Sequence, residues 1–166
     1  MESPADRFTE YLERHKGLIY KAARAYCSDP EERKDLVQDI VSQLWRAFPK
    51  YNPAYSLQTW TYRIAINVSI SYLRKTSARK KARKIYQDEF AWMTVNDAAL
   101  DENLEKLYRY IERLKPVDKA LAMLYLDSFK NDEIAAALGL SLTNVSTKKQ
   151  RIREELKTYF LTSKEA

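Results

Sequence analysis

The sequence is poor in three residue types: its 166 residues include two glycines, one histidine and one cysteine. So few glycines, with almost no alternating apolar pattern, exclude a turn-rich β architecture and point to an all-helical chain. The lone Cys27 cannot close an intramolecular disulfide, which agrees with a reducing compartment. His15, on the apolar side of the first predicted helix, has no Cys or His set with which to complete a metal site, and it reads as a core or boundary histidine. No leading apolar run resembles a signal peptide and none approaches a membrane span, so the expectation is a soluble, cytoplasmic protein with no membrane insertion.

What the chain does have is positive charge. The net charge of +6 and the pI near 9.3 favour a polyanionic partner through long-range attraction and counterion release. Phe8, Tyr11, Leu12, Ile19, Ala22 and Ala23 fall on one face of a helix expected over residues 6–26. Asp29, Pro30 and Glu32 then supply a helix start: a cap, a first-turn proline and the acid of a capping box.

The stretch from Asp35 to Lys75 carries two devices. Leu36, Val37, Ile40, Val41, Leu44, Trp45 and Phe48 recur at spacings of three and four and make one apolar face, while Asp35, Gln38, Asp39, Ser42 and Gln43 keep another face polar. After the break between Pro49 and Pro53, Ser56 is the next predicted cap, for a helix reaching about Leu73. Leu57, Trp60, Ile64, Ala65 and Val68 are expected inward there, and Tyr62, Arg63, Asn67, Ser71 and Arg74 on other faces. The mixture of rings, cations and an amide suits nucleic acid. The following run RKTSARKKARK contains seven cations and no acid. Alone it is an ordinary solvated charge run; after an aromatic helix it reads as a grip on phosphates.

Between residues 85 and 96 the pattern dissolves, which sets an expected linker over 77–96. A second domain is expected over 97–166, with Leu100, Leu104, Leu107, Ile111 and Leu114 as its first apolar face, and Val117, Leu121, Leu124 and Tyr125 in a short helix after Pro116. In the last segment Asn131 is a predicted cap, Ile134, Ala135 and Leu138 are predicted inward, Gly139 supplies a turn and Ser141 caps a final helix with Val145 inward. Ala135, Gly139 and Val145 match the small, turning and apolar positions of a helix-turn-helix. On that geometry Thr143, Asn144, Thr147 and Lys148 face bases or phosphates, and Lys149, Arg151 and Arg153 add cations. The same spacing also fits an ordinary helical hairpin with a basic surface.

Taken together, these segments resemble a bacterial RNA polymerase sigma factor of the extracytoplasmic-function group, in the sigma-70 family. DLVQDIVSQLW is similar to that family's polymerase-clamp segment, with Asp39 where glutamate is usual. TWTYRIAINVSISYLRK is similar to its minus-ten segment, and NDEIAAALGLSLTNVSTKKQRIREELK to its minus-thirty-five helix-turn-helix. The resemblance implies two small helical domains: a region-2 bundle over 1–76 and a region-4 helix-turn-helix over 97–166, joined by the flexible linker. It implies binding of core RNA polymerase, through its clamp coiled coil and flap, and of promoter DNA, with an anti-sigma factor as a further partner. No cofactor and no enzymatic activity are implied. Asp35, Gln38, Asp39 and Trp45 would meet the clamp; Trp60, Tyr62, Arg63, Asn67, Arg74 and Lys75 the minus-ten strand; and Ser141, Thr143, Asn144, Thr147, Lys148 and Arg151 the minus-thirty-five duplex. Ser71 stands where the family commonly has aspartate, and Asn144 and Ser146 where it has threonine and a basic residue. Lys149 occupies a usually apolar position, which implies either a recognition helix that packs less tightly or a lysine stem laid along the partner helix.

Three other readings compete. A stand-alone regulator explains the helix-turn-helix but leaves the paired DLVQDIVSQLW and TWTYRIAINV runs without a role. A metal-dependent nuclease could use Asp35 and Asp39, which share a helix face, but they accompany no further acid or histidine cluster. A purely structural helical scaffold leaves the basic and aromatic mixture unexplained.

Overall fold

Most of the helices begin where a side chain accepts a free backbone N–H of the first turn. In the computed structural model, which describes residues 1–83 and 101–162, all regular structure among the described residues is helical. The chain divides into two compact units.

In the first unit, helix α1 (Pro4–Tyr26) starts two residues earlier than the periodicity predicts, because Ser3 and Asp6 close a reciprocal capping box. Helix α2 (Pro30–Ala47) is capped as expected: Asp29 Oδ1 accepts from the N–H groups of Glu31 and Glu32 at 2.9 and 2.8 Å. Glu32 does not complete a capping box; its carboxylate accepts instead from the Tyr72 hydroxyl at 2.6 Å. A 3-10 turn, Phe48–Lys50, follows α2 and contains Pro49, so the helix ends one residue before the expected Phe48. Ser56 Oγ accepts from Thr59 N–H at 3.1 Å and starts helix α3 (Leu57–Arg83), which continues past the expected end at Leu73 and into the stretch read as linker. The remainder of that expected linker, and the helix start expected at Asp97, lie outside the described residues.

Helix α3 packs against both α1 and α2. Leu36, Ile40 and Leu44 of α2 meet Ile19, Ala22 and Ala23 of α1 and Tyr62, Ala65 and Ile66 of α3 in a core where every one of them is nearly inaccessible. The burial of Tyr62, at 0% exposure, corrects the expectation that it faces DNA. A helix touching two neighbours buries two adjacent arcs, and Thr61, Tyr62, Ala65, Ile66 and Ser69 fill the wider arc that results.

In the second unit, Asp101 caps helix α4 (Glu102–Glu112) by accepting from Asn103 N–H at 3.2 Å. Its buried face is Tyr108, Tyr110 and Ile111, while Leu104 is 37% exposed, so the leucine face read from the sequence is rotated. Helix α5 (Pro116–Leu126) is buried from Asp118 to Leu124, although its Val117 is exposed. A turn through Ser128, whose φ is 64°, leads to helix α6 (Asn131–Leu138). Gly139, with φ 66° and ψ 34°, turns the chain left-handed, and Ser141 Oγ accepts from Asn144 N–H at 3.1 Å at the start of helix α7 (Leu142–Thr162). Ile134, Val145 and Ile152 lock α6 and α7 into the core, and Ala137 joins them; Ala135 and Leu138, expected inward, are half-buried.

Candidate polymerase and nucleic-acid surfaces

Burying Leu36, Ile40 and Leu44 fixes what α2 shows to solvent. Asp35, Gln38 and Asp39 are all exposed, on the side away from that apolar row. Trp45 is 45% exposed, with its ring edge on Phe8 at a centroid distance of 5.0 Å. A tryptophan held by one neighbour and open on the other side is suited to contact with a partner.

Trp45 lies at the margin of an aromatic cluster. Phe8 and Tyr11 pack on Phe48 at 5.3 and 5.1 Å, and Trp60 reaches Tyr51 at 5.3 Å and Tyr11 at 6.0 Å. Trp60 is thus half-buried by three rings. The Tyr11 hydroxyl meets Thr61 Oγ1 inside the cluster, and burial raises the Tyr11 pKa to about 12 against the opposing effect of that hydrogen bond. His15 stacks on Tyr11 at 4.7 Å, with Nδ1 at 2.9 Å from the Tyr11 carbonyl oxygen, in the core-boundary role expected of it.

Asp39 and Asn67, assigned from sequence to two different partners, line one groove of about 580 Å³ between α2 and α3. Gln43, Arg46, Ser71 and Lys75 complete its polar wall. Arg46, seven residues after Asp39 on the same polar face of α2, is a site residue not singled out from the sequence. Arg63 and Arg74 are exposed on α3, as expected, but do not line this groove. At its far end Tyr72 donates to Glu32 and lies 3.4 Å from Cys27 Sγ. Burial, followed by these two neighbours, pushes the Tyr72 pKa up.

In the second unit Ser141, Thr143, Asn144 and Thr147 are exposed at the first turns of α7, the end that a helix-turn-helix offers to a major groove. Lys148 and Arg151 are placed differently from expectation. Both turn to the buried Asp118 of α5, at 2.9 and 2.8 Å. Asn131 is also corrected: rather than capping α6, it donates to Ser146 Oγ at 3.3 Å and accepts from Lys149 Nζ at 3.2 Å. The Lys149 ammonium also stands over the Tyr125 ring at 4.8 Å, so the lysine at a usually apolar position does lay its stem along a partner helix. Among the described residues no group of three or more acidic, histidine or cysteine side chains could hold a metal ion, and no helix is long and apolar enough to cross a membrane.

An acid-faced helix packed beside an aromatic and cationic one in the first unit, and a helix-turn-helix in the second, define a two-unit, all-helical class of protein. Residues 11–79 match the family model for Sigma-70 region 2, and residues 104–156 that for Sigma-70 region 4. The chain belongs to the sigma-70 family, in its extracytoplasmic-function group. It is 30% identical to the RNA polymerase sigma factor YlaC of Bacillus subtilis over 170 residues, which cover 99% of this chain and 95% of YlaC. With the sigma factor SigG of Mycobacterium tuberculosis it shares 25% identity over 185 residues, 93% of this chain but 50% of SigG, so it spans about half the length of that relative. Its fold is that of the sigma factor RpoE solved in complex with the anti-sigma factor NepR from Bartonella quintana, with a TM-score of 0.76 at 18% identity, covering 93% of this chain and 96% of RpoE.

Proposed function

We propose that this chain is a cytoplasmic initiation factor that binds core RNA polymerase, carries it to promoter DNA and helps open the duplex, without catalysing a reaction itself. The observation that carries the reading is the two-sided α2: one side is locked into the core by Leu36, Ile40 and Leu44, and the other offers Asp35, Gln38 and Asp39 to solvent. That face would dock on the basic clamp coiled coil, giving orientation more than raw affinity, with Trp45 beside it as an apolar anchor.

The groove between α2 and α3 would take an unstacked base of the displaced strand, with the Asn67 amide available to read its edge. Trp60 would support the groove from within the aromatic cluster, while Arg63, Arg74 and Lys75 hold phosphates. Base capture offsets unpairing only once the rest of the assembly is docked, so the free protein melts nothing. The second unit would meet the polymerase flap and place Ser141, Thr143, Asn144 and Thr147 against the minus-thirty-five duplex. The segment between the units would tether the two contacts. RpoE was solved with an anti-sigma factor, and a partner of that kind would act here by covering the acidic face of α2. Run-off transcription with purified core polymerase tests the reading, because a stand-alone regulator cannot replace a sigma factor.

A further inference from the structure

Asp118 lies in the first turn of α5 and is 4% exposed. Each of its oxygens is occupied by a different cation of α7: Lys148 Nζ donates to Oδ1 at 2.9 Å, and an Arg151 terminal nitrogen donates to Oδ2 at 2.8 Å. The contacts continue beyond it, for Arg151 Nε stands 3.7 Å from Glu155, and Glu155 accepts from the Tyr110 hydroxyl at 3.2 Å. Tyr110, Asp118 and the α7 residues therefore join three helices, with Lys148 and Arg151 one turn along α7 from Asn144 and Thr147 of the exposed row. The Lys148 side chain keeps 26% exposure and Arg151 keeps 51%.

The geometry points to Asp118 as a specificity-determining positioning residue, which withholds Lys148 from the DNA backbone and leaves Arg151 only its outward edge. This inference rests on the region-4 reading given above. A buried carboxylate is strongly disfavoured without partners, so neither cation can swing to a phosphate without leaving Asp118 short of one. Phosphate contacts strengthen binding to every sequence alike, whereas base-edge contacts discriminate. By restraining two cations, Asp118 shifts the balance of the interface from charge towards the exposed neutral side chains of α7.

The test is the affinity of the full chain for a random-sequence duplex across a salt titration. Each phosphate contact steepens the slope of log K against log salt by about 0.9, so Asp118→Asn is expected to steepen it by about 1 to 2 and to tighten binding at low salt. A slope equal to that of the wild type, or weaker binding at every salt concentration, overturns the inference. Lys148→Met supplies an arm that leaves the buried carboxylate in place. Its slope is expected to equal that of the wild type because the lysine is already engaged, and a slope shallower by about 1 would show that Lys148 meets phosphate and overturn the inference. A wild-type chain with no affinity for duplex at any salt contradicts the region-4 reading itself, and the inference with it.

Discussion

Tyr72 and Glu32 tie the middle of α3 to the first turn of α2, the tyrosine hydroxyl donating to the carboxylate at 2.6 Å with Cys27 Sγ 3.4 Å from the same oxygen. The contact closes one end of the groove that holds Asp39 and Asn67. Arg33 reinforces the junction by donating to the Cys27 and Ser28 carbonyl oxygens at 3.0 and 2.8 Å.

Tyr72→Phe keeps the ring and removes the hydroxyl. A hydrogen bond to a charged but partly solvated carboxylate contributes about 1 to 2 kcal/mol, and the variant should lose about that much stability. Urea unfolding followed by tryptophan fluorescence reads it, since Trp45 and Trp60 both belong to this unit. An unchanged midpoint would show the contact to be energetically idle.

Ser128 adopts φ 64°, a left-handed backbone that disfavours a side chain, where Phe129 N–H donates to the Leu124 carbonyl at 3.0 Å to end α5. Ser128→Gly should stabilise the second unit by up to about 1 kcal/mol, because glycine adopts this conformation without the steric cost. Ser128→Ala should give no such gain. Thermal unfolding of the two variants decides it, and equal midpoints contradict the assignment of strain.

Alkaline stability follows from two buried phenols. Burial raises Tyr11 and Tyr110 each to about 12 from the ordinary 10, aided at Tyr110 by the neighbouring Glu155. Between these values the folded state holds protons that the unfolded chain has released, so the contribution is complete below pH 10 and is lost as pH rises through 12. Stability should therefore fall over that window, and less steeply in Tyr11→Phe and Tyr110→Phe. Identical pH profiles for wild type and both variants would contradict the linkage.

How much of this was legible in the sequence depends on how local each cause is. The Asp29 cap, the Leu36, Ile40 and Leu44 row, and the Gly139 turn are encoded within a few residues, and the structure has them where the sequence puts them. Tyr62 was misplaced because periodicity assumes one buried face, whereas α3 meets both α1 and α2. The tyrosine face of α4 was missed because leucine dominates an apolar count, although Tyr110 buries more surface and gives its hydroxyl to Ile152 and Glu155. The Asp118 clamp left no local trace at all: its partners lie 30 and 33 positions away along the chain. An acid in the first turn of a helix looks only like a favourable charge near a helix N-terminus.

Asn67→Ala tests the groove. If the amide reads a base edge, the variant should lose about 1 to 3 kcal/mol of discrimination at one minus-ten position while still associating with polymerase. Transcription from base-substituted promoters measures this, and matching base preferences in wild type and variant would remove Asn67 from the reading role.

In the proposed function the exposed acidic face of α2 joins this chain to core polymerase and the two units together select a promoter. Transcription by purified core polymerase over a randomised promoter library measures both at once, with Asp39→Lys run beside the wild type. That joint role of α2 and the two units requires discrete start sites behind two enriched sequence blocks with wild-type protein and almost none with Asp39→Lys, whose cation would oppose a basic partner. Transcripts that are absent with the wild type, or unchanged with Asp39→Lys, would contradict it.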